Sequence, residues 1–198
     1  MTEIKSALEI ALERTKNVEV SKESLEASKY NTEGKKLVSR FLNDDGIDLT
    51  QELKSFDSSK VTWVRAGIYE ALSTNLILPI DEVALKKSKR VREGFFAIIK
   101  DSKKLNRLMN QLENFLGEYL EERKRLQVAI EEQYAPRLRQ KEEEMSKQLG
   151  APVKIDPMQD PEFGQLLRKN LVMLEDRYSS VLKEVKQELD NMFGITAA

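Results

Sequence analysis

Apolar positions recur at intervals of three and four along most of this chain, the spacing of one helix face, and no stretch reads as a strand. Ile4, Ala7, Leu8, Ala11 and Leu12 predict a first amphipathic helix over about Glu3 to Arg14, and the stretch from Thr15 to Glu23 lacks that rhythm and reads as a linker. A second helix begins near Ser21 or Ser24, both suitable N-caps. It carries Leu25, Leu37, Val38, Phe41 and Leu42, has Gly34 as a weak point, and ends at the turn-forming run Asn43-Asp44-Asp45-Gly46. Asp48-Leu49-Thr50-Gln51 has the form of a capping box and opens a short helix that stops near Asp57. Ser58 or Ser59 caps the next helix, whose stripe is Val61, Val64, Ile68, Leu72 and Leu76, with Trp63 and Tyr69 beside it. Pro79 ends it, because the residue before a proline is pushed out of the α region.

After Asp81 the helical pattern is nearly unbroken to Leu149. Val83, Val91, Phe95, Ile98 and Ile99 mark a segment from about Glu82 to Lys100, and Asp101-Ser102 is either a cap between two helices or a polar turn within one. Leu105, Leu108, Leu112, Phe115, Tyr119, Leu126 and Ala129 then form a heptad seam with a polar interruption at Glu122. Pro136 is expected to kink this helix, and Arg137 to Leu149 is mostly charged. Gly150-Ala151-Pro152 stops it, Val153 to Gln159 is a loop, and Asp160-Pro161-Glu162 starts a new helix with an N-cap, a first-turn proline and an acid at the positive end of the dipole. The clearest heptad follows: Leu167, Leu171, Leu174, Tyr178, Val181 and Val185, then Leu189 and Met192. Two long helices joined by so short a loop are expected to run antiparallel. The fold class is therefore all-α, a cluster of short N-terminal helices plus a long coiled-coil-like hairpin. The expected divisions are 1–20 (amphipathic helix and linker), 21–100 (short-helix cluster) and 101–198 (hairpin).

Composition sharpens this picture. Charged residues are 34% of the chain, against roughly 25% in an average domain, while apolar residues remain at 40%. That combination suits long helices with much solvated surface. The 33 basic and 34 acidic residues nearly cancel, so no global field draws the chain to nucleic acid or anionic lipid. Neither Cys nor His occurs, which excludes disulfides, thiolate chemistry, imidazole triads and His- or Cys-ligated metals. No basic leader precedes an apolar stretch at the N-terminus, and the run Phe95 to Ile99 falls far short of the ~20 residues of a membrane span, so a cytoplasmic setting without membrane contact is expected.

Several residue groups could carry chemistry. Glu118, Glu121, Glu122, Glu131, Glu132 and Glu142-Glu143-Glu144 are dense, but helical di-metal sites need a Glu-x-x-His element that this chain lacks. Glu122, alone on the seam, is expected to meet a Lys or Arg across the helix pair or to set its register. Lys86, Lys87, Lys89, Arg90 and Arg92 form a local positive patch suited to phosphate or an acidic partner, without the base-reading or stacking array of a nucleic-acid binder. The scattered glycines form no phosphate loop, and Trp63, Tyr69, Phe95 and Phe96 read as core. The short N-terminal helix on its linker could dock in a partner's groove or back on its own chain.

The widest apolar surface lies on the last two helices. Leu167, Leu171, Leu174, Tyr178, Val181 and Val185 form a candidate partner surface. Leu166, Leu182 and Phe193 lie beside that row, as do Met109, Leu116, Leu120 and Ile130 beside the preceding one. This surplus calls for cover by the helices of residues 21–79, by a second copy in a homodimer, or by another protein.

Glu3 to Arg14, together with Val153-Lys154-Ile155-Asp156-Pro157 and Asp160-Pro161-Glu162-Phe163, resembles an uncharacterised bacterial family of small all-helical proteins. The resemblance implies a bacterial cytoplasmic setting and carries no activity or site residues. The expected function is a non-enzymatic interaction or scaffold protein acting through helix faces, without a cofactor. The competing expectation is an enzyme or ligand-binding protein with a pocket among the helices of residues 21–100, which buried ionisable groups there would favour.

Overall fold

Helix boundaries in this chain follow the capping chemistry closely. The computed structural model describes residues 22–44 and 46–194, and these hold six α-helices and no strand. The N-terminal helix expected over residues 3–14 lies outside the described residues. The chain divides into two compact units, one ending at Ala71 and the other starting at Leu72.

The first unit contains α1 (Lys22–Asn43), α2 (Leu49–Lys54) and most of α3 (Val61–Asn75). The Asp48 carboxylate caps α2 by accepting the amides of Thr50 (2.8 Å) and Gln51 (3.4 Å). α1 and α3 meet backbone to backbone. A Cβ on Gly34 would stand 2.2 Å from the Val64 carbonyl oxygen, and one on Gly67 would stand 1.9 Å from that of Asn31. Gly34, a weak point for helix propensity, is thus one of the two positions where the helices approach too closely for a side chain. Polar clamps flank the crossing: Glu70 accepts from Asn31 at 3.0 Å and pairs with Lys35 at 2.6 Å, while Lys60 pairs with Glu26 and lies over the rings of Tyr30 and Trp63. Leu37, Val38, Phe41, Leu49, Leu53, Val64, Ile68 and Tyr69 are buried.

The second unit contains α4 (Glu82–Ile98), α5 (Ser102–Leu149), a 3-10 turn (Pro157–Gln159) and α6 (Pro161–Phe193). Asp81 caps α4 through the Ala84 amide (2.7 Å), and Asp101 caps α5 through that of Lys104 (3.0 Å), with Ile99 extended between them. Asp101 therefore marks a true break. α5 is a single 48-residue helix, roughly 72 Å long at 1.5 Å per residue. It runs through Pro136, which is exposed, so the carbonyl that loses its partner faces water. Gly150 ends it in the left-handed region (φ 68°), donating to the Ser146 carbonyl at 3.0 Å. Asp160 then caps α6, and Gly194 (φ 95°) closes it.

α5 and α6 run antiparallel, since the partners fall in number on α6 as they rise on α5. Lys104 pairs with Glu188, Arg123 with Glu175 (3.1 Å), Arg137 with Glu162 (2.8 Å) and Lys141 with Asp160 (2.7 Å). Along the first half of α5, α4 packs as a third helix. Leu85, Ser88 and Arg92 face Met109, Leu112 and Leu116, around a space of only about 10 Å³. Lys89 (3.0 Å) and Arg92 (2.7 Å) share Glu113 across that contact. Beyond Lys124, which reaches back to Glu82 at 2.7 Å, the described contacts of α5 are with α6 and its preceding loop. We call the three-helix part the stem and the two-helix part the arm.

The buried row on α5 is Leu105, Met109, Leu112, Leu116, Tyr119 and Leu120, continuing through half-buried Leu126 to Ile130 and Tyr134. It differs from the expected seam: Met109, Leu116 and Ile130 lie inside it, Leu108 and Phe115 are half-buried, and Ala129 is exposed. A straight helix drifts against a strict heptad, and the extra cover from α4 widens the face that must be apolar. On α6 the deepest residues are Phe163, Leu167, Leu174, Leu182 and Leu189.

Candidate functional site

The candidate partner row divides by depth. Leu167 and Leu174 are buried, while Leu171, Tyr178 and Val185 are half-buried, and Leu171 packs on the Ile130–Tyr134–Phe163–Leu167 cluster. The Tyr178 ring lies 4.9 Å from that of Phe115 and 5.0 Å from that of Tyr119. Val181 alone of the six is exposed, at 39%, because Leu182 takes the inward position. In the basic cluster, Lys89 and Arg92 are engaged by Glu113, Arg90 pairs with Glu93 at 2.6 Å, and Lys86 and Lys87 are exposed. Of the aromatic residues, Tyr69 and Phe95 are core, Trp63 is half-buried, and Phe96 is exposed beneath the Arg92 guanidinium. Glu122 meets Arg177 across the pair and accepts the Tyr178 hydroxyl at 2.6 Å, and these two partners hold its carboxyl below the usual range. Among the described residues of 22–100, no Asp, Glu, Lys or Arg is buried.

The densest polar constellation stands at the far end of the arm. Tyr134 and Lys141, seven residues apart, share the face of α5 turned to the start of α6. The Asp160 carboxylate, 3% exposed, accepts the Glu162 amide on Oδ1 (2.9 Å), and on Oδ2 it accepts Lys141 Nζ (2.7 Å) and the Tyr134 hydroxyl (3.1 Å). Lys141 Nζ also donates to Glu162 Oε2 (2.6 Å) and to the Tyr134 oxygen (3.0 Å), while Arg137 holds Glu162 Oε1 (2.8 Å). Beneath them the Tyr134 ring packs 5.5 Å from that of fully buried Phe163.

The charges in this group reinforce one another. Hydrogen bonds to Asp160, then to Glu162 and Tyr134, push the Lys141 ammonium far above its ordinary range, and Lys141 in turn lowers both carboxyls. Desolvation, with the two acids, raises the Tyr134 phenol. A proton-transfer tyrosine needs a lowered phenol and a lysine nucleophile needs a neutral amine. Both shifts run opposite to those needs, and the bonds from Tyr134 and Lys141 to Asp160 and Glu162 tie α5 to the start of α6. Sequence reading found Asp160 only as an N-cap and passed over Tyr134; the heptad spacing of Tyr134 and Lys141 opposite an acidic helix start was the signal.

Midway along the arm, one face between α5 and α6 is open. Leu126, Ala129, Leu174 and Met173 line a groove edged by Glu122, Arg125 and Arg177. Met173 is 65% exposed. No described helix is long and apolar enough to cross a membrane, and among the described residues no group of three acidic side chains converges as a metal-ligand set.

A family model described as a family of unknown function (DUF6657) matches residues 50–191. That span takes in the whole arm and the 153–163 segment, and begins beyond the opening stretch at residues 3–14. No curated protein and no solved structure matches the chain.

Proposed function

The chain belongs to the family of unknown function DUF6657, and from that footing we propose that it is a non-enzymatic interaction protein whose arm recognises other helices, a second copy of itself first among them. The observation that carries this reading is the groove of Leu126, Ala129 and Met173, left open where α4 stops covering the helix pair. In the stem, the apolar side chains of α5 are covered by two helices. In the arm no third helix packs there among the described residues, and a helix laid in the groove would cover Met173 over Ala129. Two arms laid face to face would form a four-helix bundle, an arrangement in which each supplies the other's missing neighbour. The bacterial cytoplasmic setting belongs to the same proposal, as does the absence of nucleic acid among the partners, since most of the basic cluster is matched by acids.

Sedimentation equilibrium on the full chain tests it. We expect a reversible dimer in the parent and a monomer in A129E and M173E, each with unchanged helix content. A parent that stays monomeric at every concentration, together with identical protein capture by the parent and A129E, contradicts the reading.

A further inference from the structure

Between α5 and α6 the chain turns back along the last turns of α5 instead of crossing directly to the new helix. This return segment, 151–156, is held by polar contacts. The Ser146 hydroxyl accepts the Val153 amide at 2.9 Å. The Glu142 carboxylate accepts the Ile155 amide on Oε1 at 2.9 Å and the Lys154 ammonium on Oε2 at 3.2 Å. The Glu142 side chain is only 12% exposed although the Lys154 side chain is 91% exposed, so the carboxylate is tucked under the segment it holds. The apolar contribution is small: Val153 and Ile155 are half-buried, Met145 is partly exposed, and Leu149 and Met158 lie largely in water. Both ends are fixed independently, by the left-handed turn at Gly150 and by the Lys141–Asp160 anchor.

We infer that residues 151–156 form a strap latched by Glu142, which opens and closes on α5 while α6 stays paired. The two anchors divide the work. Lys141, on α5, bonds Asp160 and Glu162 at the start of α6, so it holds the helix pair. Glu142, the next residue on α5, bonds the returning strap through Lys154 and Ile155. A segment with few apolar contacts and exposed backbone opens at lower free energy than the core beside it. Opening bares the Glu142–Ser146 face of α5 next to Met145 and Leu149, and extends the accessible apolar surface of the arm's tip. The inference does not depend on the groove having a partner.

Residue-resolved amide exchange on the full chain separates the anchors. In E142A the amides of Val153 and Ile155 should exchange on the order of ten-fold faster, since Ile155 loses its acceptor outright and Val153, held by the Ser146 hydroxyl, is released when the strap opens as a unit. Amides from Leu166 to Leu189 should be unchanged. E142Q, which keeps an acceptor oxygen but loses the charge, should fall between E142A and the parent. K141M should reverse the pattern by loosening the first turns of α6. The inference is overturned if E142A leaves Val153 and Ile155 as protected as before, or if they lose protection only together with Leu166 to Leu174.

Discussion

The stem and the arm use the same two helices and solve the same problem differently. In the stem, α4 supplies a third layer, and Val91, Phe95, Ile98, Leu105, Met109, Leu116 and Tyr119 are nearly or wholly removed from water. In the arm there is no third helix among the described contacts, and the core thins to Ile130, Tyr134, Phe163 and Leu167 with half-buried neighbours. A two-helix contact cannot bury a stripe wider than its own seam, so polar anchors at the tip take over part of the task. Where cover is complete, hydrophobic burial dominates. Where it is incomplete, charge chemistry fixes the register and an apolar groove remains open.

The largest expected effects come from cutting each core. Phe95→Ala in the stem should cost about 3–5 kcal/mol, and Ile130→Ala in the arm about 2 kcal/mol, because the arm can collapse around a lost side chain and water already reaches its edges. Urea unfolding followed by far-ultraviolet circular dichroism gives both values. Equal losses would break the distinction between a covered core and a thin one.

Removing charge should invert that ranking. Lys141→Met keeps a similar aliphatic stem but strips nearly buried Asp160 of its cation and leaves Glu162 with Arg137 alone, so the first turns of α6 should lose exchange protection by about ten-fold or more. Lys89→Met in the stem removes one exposed ion pair, leaves Arg92 on Glu113, and should change stability by well under about 1 kcal/mol. Comparable effects at the two sites would show that the arm needs its anchor no more than the stem needs its surface pairs.

Acid should act in the same direction as Lys141→Met. Asp160 and Glu162 are lowered chiefly by Lys141, and Glu142 chiefly by the Ile155 amide. Carboxyls with depressed folded values stabilise the arm above the ordinary carboxylate range and lose that contribution as pH falls through the depressed values. Lys141, raised, keeps its contribution at every pH below the ordinary lysine value and loses it only under strong alkali. Glu113 and Glu188 in the stem are lowered as well, but the stem retains its apolar core. Amide exchange across an acid series should therefore show the arm opening first. Simultaneous opening would contradict the contrast.

The smallest effects come from two helix-interior glycines with open space where a Cβ would stand, Gly117 in the stem and Gly164 in the arm. Each change to Ala should stabilise its helix by about 0.5–1 kcal/mol. Thermal melts should register Gly117→Ala, and exchange rates near the tip should register Gly164→Ala more clearly than the global melt does.

Much of this architecture can be read from the sequence because caps and breakers act locally. Asp48, Asp81, Asp101 and Asp160 each accept a nearby amide, and Gly150 takes the left-handed conformation that stops α5. Glu122 likewise announced a cation partner by sitting on an apolar seam. The phase of the buried row was harder to read, because it depends on tertiary cover. Leu182 replaces Val181 inside, and Met109 and Leu116 join the row because α4 lies over them. The tip anchor was harder still. Lys141 looks like one more solvated charge until Asp160, nineteen residues later, is folded against it.

The central claim is that the arm's groove is a surface for another helix while the stem is complete. Amide exchange on the full chain across a wide concentration range tests it most directly. The account predicts that amides of Leu126 to Ala129 and Asn170 to Leu174 gain protection as concentration rises, while those of Leu105 to Leu116 do not change. Protection that rises in the stem, or that is independent of concentration throughout the arm and stays so when the protein is held in an extract of its own cells, would contradict it.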